Sequence, residues 1–221
     1  SFAETITFMG SHGTGWPERM FLQGNLDALG MWDQSLTNAE INALYNSGSG
    51  VSALSNFGEY TSVASLLGYW NFNEGEGSTL TVLSGNGNDG TIYGATWSGY
   101  GAPVGDQVNE QPSPNHSLSF DGDGDYVVIE DASSNIVNSD ASLIGWFKIN
   151  DFDDLNPIIG FRNYPNDYCS MYAVMGMNGT IETMVYGNLQ SFIQNNYSLN
   201  QWYHIALIFN GENFKTYLNG E

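Results

Sequence analysis

Three aspartates spaced two apart, Asp121, Asp123 and Asp125 in FDGDGDY, form a dense group of hard oxygen donors. Carboxylates at alternate positions with glycines between them match the first half of a calcium loop, and calcium is a cation such oxygens suit. The bidentate glutamate expected at loop position 12 is missing, so the run is not an EF-hand. The same residues also suit a tight turn, in which Asp side chains accept from backbone N–H groups. Residue types alone leave both uses open.

Other chemistry is thinly supported. Glycoside hydrolysis needs two carboxylates held across a cleft, and Glu74 and Glu76 of NEGEG stand in a Gly-rich turn too flexible for that. His12, His116 and His204 are scattered without a Ser or Cys motif around them, and His204 in the apolar run QWYHIA reads as core. The chain is therefore expected not to be an enzyme. Ligand binding is better served. The segment RNYPNDY, with Arg162, Tyr164 and Tyr168, and the loop residue Trp16 offer aromatic rings and polar groups where loops present them.

The charge narrows the partners. With 24 Asp plus Glu against four basic residues, the 221-residue chain carries a formal charge of −20. Such a surface repels phosphate backbones and anionic headgroups, so neither nucleic acid nor membrane is an expected partner. No stretch is apolar enough for membrane insertion. Cys169 is alone, which rules out an internal disulfide framework.

The elements that would hold these residues are strands. The 27 Gly, 13 Tyr, 12 Phe and 6 Trp favour β-structure with many turns. SFAETITFMG and FLQGNLDALGMW alternate like strands, and Asp27 in the second is costly unless hydrogen-bonded or metal-bound. One helix is expected in SLTNAEINALYNSG, with Thr37 and Glu40 as a capping box and Gly48 as its stop. Residues 49–66 are small and nearly uncharged and read as a linker. From residue 67 onward strands recur every ~8 to 12 residues, the rhythm of a sandwich.

Five segments carry a family likeness: GYWNFNEGEG with LSGNGNDG and ATW; SLSFDGDGDYVVI; SLIGWFKI; NQWYHIALIFNG with FKTYLNGE; and NLDALGMWDQSLTNAEINALYNSG. Together they resemble the concanavalin A-like, laminin G-like domains. The resemblance implies an all-β, two-sheet antiparallel jelly-roll sandwich with one short helix. It also implies a domain cut in the middle: residues 67–221 are its N-terminal portion and residues 1–48 its C-terminal portion, together 203 of the 221 residues.

Two arrangements follow. The first strands either complete their own sandwich as a permuted single domain, or they are donated head-to-tail to a neighbouring copy, and the second is preferred. The chain is thus read as a piece of a tandem-repeat protein of the cell surface, an extracellular structural or adhesion module that partners copies of itself. A carbohydrate-binding, lectin-like module is the alternative, with glycans as partners. By resemblance, a rim calcium would be held by Asp27 with Asn86, Asn88 and Asp89 of the opening turn, although Val82 stands where the family commonly has an Asp. Asn115, Asn178 and Asn196 each satisfy N-x-S/T.

Overall fold

The computed structural model describes residues 5–11, 21–104, 115–130, 140–152, 155–163, 168–175, 180–185, 188–194 and 197–221. In chain order β1 (Thr5–Met9) and β2 (Gln23–Trp32) precede helix α1 (Asn38–Tyr45). Then come β3 (Leu66–Trp70), β4 (Thr79–Leu80), β5 (Gly90–Tyr93), β6 (Thr96–Ser98), β7 (Ser117–Asp121) and β8 (Tyr126–Glu130). The remainder is β9 (Ala141–Ile149), β10 (Asn156–Asn163), β11 (Tyr168–Met175), β12 (Thr180–Val185), β13 (Asn188–Gln194), β14 (Trp202–Phe209) and β15 (Phe214–Leu218).

These strands form two antiparallel sheets, the jelly-roll sandwich expected of the sequence. One has the order β13-β12-β11-β10-β1-β8-β5-β4, the other β15-β14-β9-β2-β7-β6 with β3 also paired to β2. Alternation along each strand sends one set of side chains between the sheets. There Met9, Leu22, Trp70, Phe72, Phe120, Phe147 and Leu207 are each at most 1% exposed.

The first two strands hold central places. β1 lies between β8 and β10, and β2 lies against β9 on one side and β7 and β3 on the other. In the single chain β1 and β2 fill places within the chain's own two sheets.

Residues 49–66 differ from a linker. Val51, Ala53 and Tyr60 are buried, and Ala53 and Tyr60 join Trp32, Leu36, Ile41 and Leu44 in a second core on the outer face of the β2 sheet. Most of the apolar groups in this polar-looking stretch face inward, Leu54 being the large exposed exception. Tyr60 is its pin: the Trp32 Nε1–H donates to Tyr60 Oη (3.0 Å), and the Tyr60 hydroxyl donates to the Ala53 carbonyl (3.0 Å). Burial, opposed by the bond from Trp32 and helped by the charge of Glu40, pushes the phenol up to about 12. Tyr60→Phe leaves a buried donor and acceptor unpaired and is expected to cost about 1–3 kcal/mol, read from the urea midpoint.

Helix α1 starts as expected, with the Thr37–Glu40 capping box formed in both directions. It stops earlier. Asn46, with φ 46°, is the left-handed residue that ends it, two positions before Gly48, and Asn tolerates that conformation well.

Candidate functional site

The seven residues proposed as cation ligands are sent to separate duties. Asp27 is 2% exposed on β2, where a register shift between Asp27 and Gly30 turns the strand and Ala28 takes φ 48°. Its Oδ2 accepts the Ala102 N–H at 2.6 Å. A side chain at Gly101 would run into Asp27 and the Asn115 amide, so the loop approaches this closely only with glycine there. Burial pushes the Asp27 carboxyl well above its usual range, and the N–H groups of Ala102 and Ala28 pull it only part of the way back. Around it the Asn115 Nδ2–H donates to Ala102 O, the Gly101 N–H to Asn115 O and the Ser117 hydroxyl to Tyr100 O. Asp27 bolts the loop of residues 99–104 to the sheet.

That turn has its own task along β3, whose outer side no described strand pairs. The Leu83 N–H donates to Tyr69 O, the Ser84 hydroxyl to Leu67 O, and the Asn86 Nδ2–H to Leu66 O and Leu67 O. Side-chain amides and hydroxyls thereby cover a sheet edge that would otherwise be open. Asn88 accepts the Trp70 indole N–H through its backbone carbonyl (3.1 Å), and Asp89 Oδ1 accepts the Val82 N–H (2.9 Å). The residue that departs from the family pattern, Val82, is thus tied to Asp89 through its main chain.

In the acidic turn, Asp125 Oδ2 accepts the Asp121 N–H (3.0 Å) and Asp121 Oδ1 accepts the Asp123 N–H (2.8 Å). These are the bonds of the turn-building alternative. Burial of Asp125, with the charges of Asp121 and Asp123 beside it, raises its pKa despite the Asp121 N–H. Among the described residues no group of three or more His, Cys, Asp or Glu side chains is placed to hold a metal ion.

What the turn does adjoin is an aromatic platform. Tyr93 on β5 and Tyr126 on β8 stand directly opposite each other, rings 4.7 Å apart and 19° from parallel. Their chain neighbours Ile92 and Val127 point into the core, so both rings lie on the outer face. Tyr93 is 45% exposed. β4 reaches only Gly90 and Thr91 of β5, so no described strand flanks Tyr93. At the end of the pair Gly94 follows Tyr93, and a Cβ there would collide with the Asp125 carboxylate. One ring face is thus packed and the other open, with the Asp125 carboxylate at the margin.

The sequence had no hint of this pair beyond the alternation itself: GTIY and DYVVI each place a tyrosine on the face opposite their buried residues, Ile92 in one and Val127 and Ile129 in the other. Of the loop candidates, Trp16 and Tyr164 lie outside the described residues. Arg162 falls in β10, opposite Ile6 of β1, and Tyr168 begins β11, opposite Asn163, so the two flank the turn between those strands.

Residues 121–221 match a family model described as the concanavalin A-like lectin/glucanases superfamily, of the laminin G type. The match starts at the acidic turn and takes in β8 to β15, somewhat less than half of the chain. No curated protein and no solved structure matches it.

Proposed function

We propose that this chain, concanavalin A-like and laminin G-like over residues 121–221, is a noncatalytic glycan-binding module that serves adhesion outside the cell. The observation that carries the reading is the Tyr93–Tyr126 stack with its open outer ring face. A pyranose presents an apolar C–H face to such a ring, while its hydroxyls need acceptors. Asp121 and Asp123, exposed in the turn that leads into β8 and Tyr126, offer them. A neutral sugar also meets no repulsion from the −20 surface.

A noncatalytic role is supported by how the carboxylates are used. Asp27 holds Ala102, Asp89 holds Val82, Glu74 Oε1 accepts the Thr81 N–H (2.7 Å), and Asp121 and Asp125 hold their own turn. Each is spent on a backbone donor instead of facing a second carboxylate across a cleft, the pairing a glycosidase needs. Among the described residues no helix is long and apolar enough to cross a membrane. Extracellular placement follows the habit of laminin G-like domains.

Tyr93→Ala is expected to weaken binding of a glycan-array hit about tenfold, the size of one aromatic contact of about 1.4 kcal/mol. Tyr93→Phe should retain it. Because Tyr93 points away from the core, thermal stability should move little. An array without hits, or a hit indifferent to Tyr93→Ala, would overturn the platform.

A further inference from the structure

A cleft of about 280 Å³ opens between the head of helix α1 and the β14–β15 hairpin, on the opposite sheet from the tyrosine stack. We propose that it binds a single carboxylate-bearing sugar residue, a hexuronate in class, with Lys215 meeting the carboxylate. This site uses none of the residues of the Tyr93–Tyr126 platform and stands apart from that reading.

The chemistry of the lining selects the ligand. Leu36 and Ile208, 4% and 6% exposed, supply an apolar floor. Above it stand the side-chain amides of Asn38 and Asn213, the Tyr217 hydroxyl and the Lys215 ammonium. Among the described residues none of these four polar groups has a hydrogen-bond, ion-pair or ring partner. Amides and a phenol both donate and accept, which suits the mixed demands of sugar hydroxyls. The cleft lies at the small end of the roughly 300–1,000 Å³ typical of small-molecule sites, so it suits one sugar unit and not a chain.

Lys215 settles the charge. Only four basic residues face 24 acidic ones, yet among the described residues this ammonium forms no ion pair. The other lysine, Lys148, lies over the Trp202 ring at 5.2 Å. Asp140 adjoins the cleft behind Ser35, whose hydroxyl donates to its Oδ2 (3.2 Å), and Glu212 is exposed in the hairpin. These carboxylates orient an anionic ligand with its charge toward Lys215 and its hydroxyls toward Ser35. At physiological salt more distant charges are screened beyond about 8 Å.

Two lysines in the whole chain make the test direct. With isotope-labelled lysine, Lys215 reports on the cleft and Lys148 serves as an internal control. Titration with glucuronate or galacturonate should shift the Lys215 side-chain signals saturably, with a Kd near 1 mM. The parent neutral hexose should bind at least about fivefold more weakly, and added salt should weaken the uronate. Lys148 should stay still. Asn213→Ala and Tyr217→Phe, both at partly or fully exposed positions of the hairpin, should each reduce the shift severalfold while Tyr93→Ala leaves it unchanged. No saturable Lys215 shift at about 50 mM uronate, or equal binding of the neutral hexose, would overturn the proposal. Loss of glycan-array binding in Tyr93→Ala with an intact Lys215 shift would support both sites independently.

Discussion

Glu40→Ala is expected to lower folding stability by about 3–5 kcal/mol, as loss of a buried charged partner does. Glu40 sits on α1 at 3% exposure and is the acceptor for three residues from two separate segments. Thr37 reaches it through its N–H and hydroxyl (3.0 Å each), Thr61 through the same two groups (3.3 Å each), and Ser62 through its hydroxyl. Burial pushes this carboxyl up, but the bonds from Ser62, Thr37 and Thr61 together outweigh it and hold it below the usual 4.5.

Removing the side chain leaves those donors without an acceptor, opens the capping box and frees residues 49–66 from the outer core. Charge-assisted bonds are worth about 1.5–3 kcal/mol each and do not add fully, which places the total in the stated range. A urea series in which Glu40→Ala loses less than about 1 kcal/mol would refute this account. The sign with pH follows from linkage. A carboxyl with a depressed folded pKa stabilises above its unfolded value, here 4.5, and that contribution is lost as pH falls through the folded pKa.

The second large effect is acid destabilisation through His204. This residue is 1% exposed on β14, its Nδ1 has no hydrogen-bond partner, and it is packed against the Tyr45 and Trp146 rings at 5.5 and 5.2 Å. Burial lowers its pKa from 6.5 to about 3. In that window the unfolded chain binds a proton that the folded chain refuses. Stability is therefore fully present above pH 6.5 and falls by about 1.4 kcal/mol per pH unit below it, about 2 kcal/mol by pH 5. His204→Phe should flatten this slope by one proton between pH 6 and 4 in urea melts. An unchanged slope would acquit the imidazole. Asp27 acts in the opposite sense, since a carboxyl with a raised folded pKa loses stability as pH rises.

The fold was legible in the sequence because its signals are local and repeated. Alternation marked β1 and β2, the Thr37–Glu40 spacing marked α1, and the aromatic segments carried the family likeness. Residues 49–66 were less legible because the buried apolar side chains Val51, Ala53, Tyr60 and Leu66 are diluted by Ser, Thr and Gly, several of the hydroxyls serving as hydrogen-bond partners. The site was least legible. Oxygen-bearing residues suggested a cation, yet an Asp or Asn looks the same in sequence whether it faces a metal or a backbone N–H. In this structure Asp27 and Asp89 each accept a backbone N–H, while the Asn86 amide donates to the carbonyls of Leu66 and Leu67. Tyr93 and Tyr126 are far apart in the chain, and only the β5–β8 register brings them face to face.

That N-terminal strands occupy central sheet positions also governs how the molecule is made. Ile6 is opposite Arg162, and Leu26 is opposite Phe147. During synthesis at about 5–20 residues per second, β1 and β2 must wait roughly 10–30 s for those partners. Loop closure over such separations is entropically costly and slow. β8, β5 and β4 can line up beside β1, and β3, β7 and β6 beside β2, before β10 and β9 arrive, so half of each sheet waits with an open edge for its later partners.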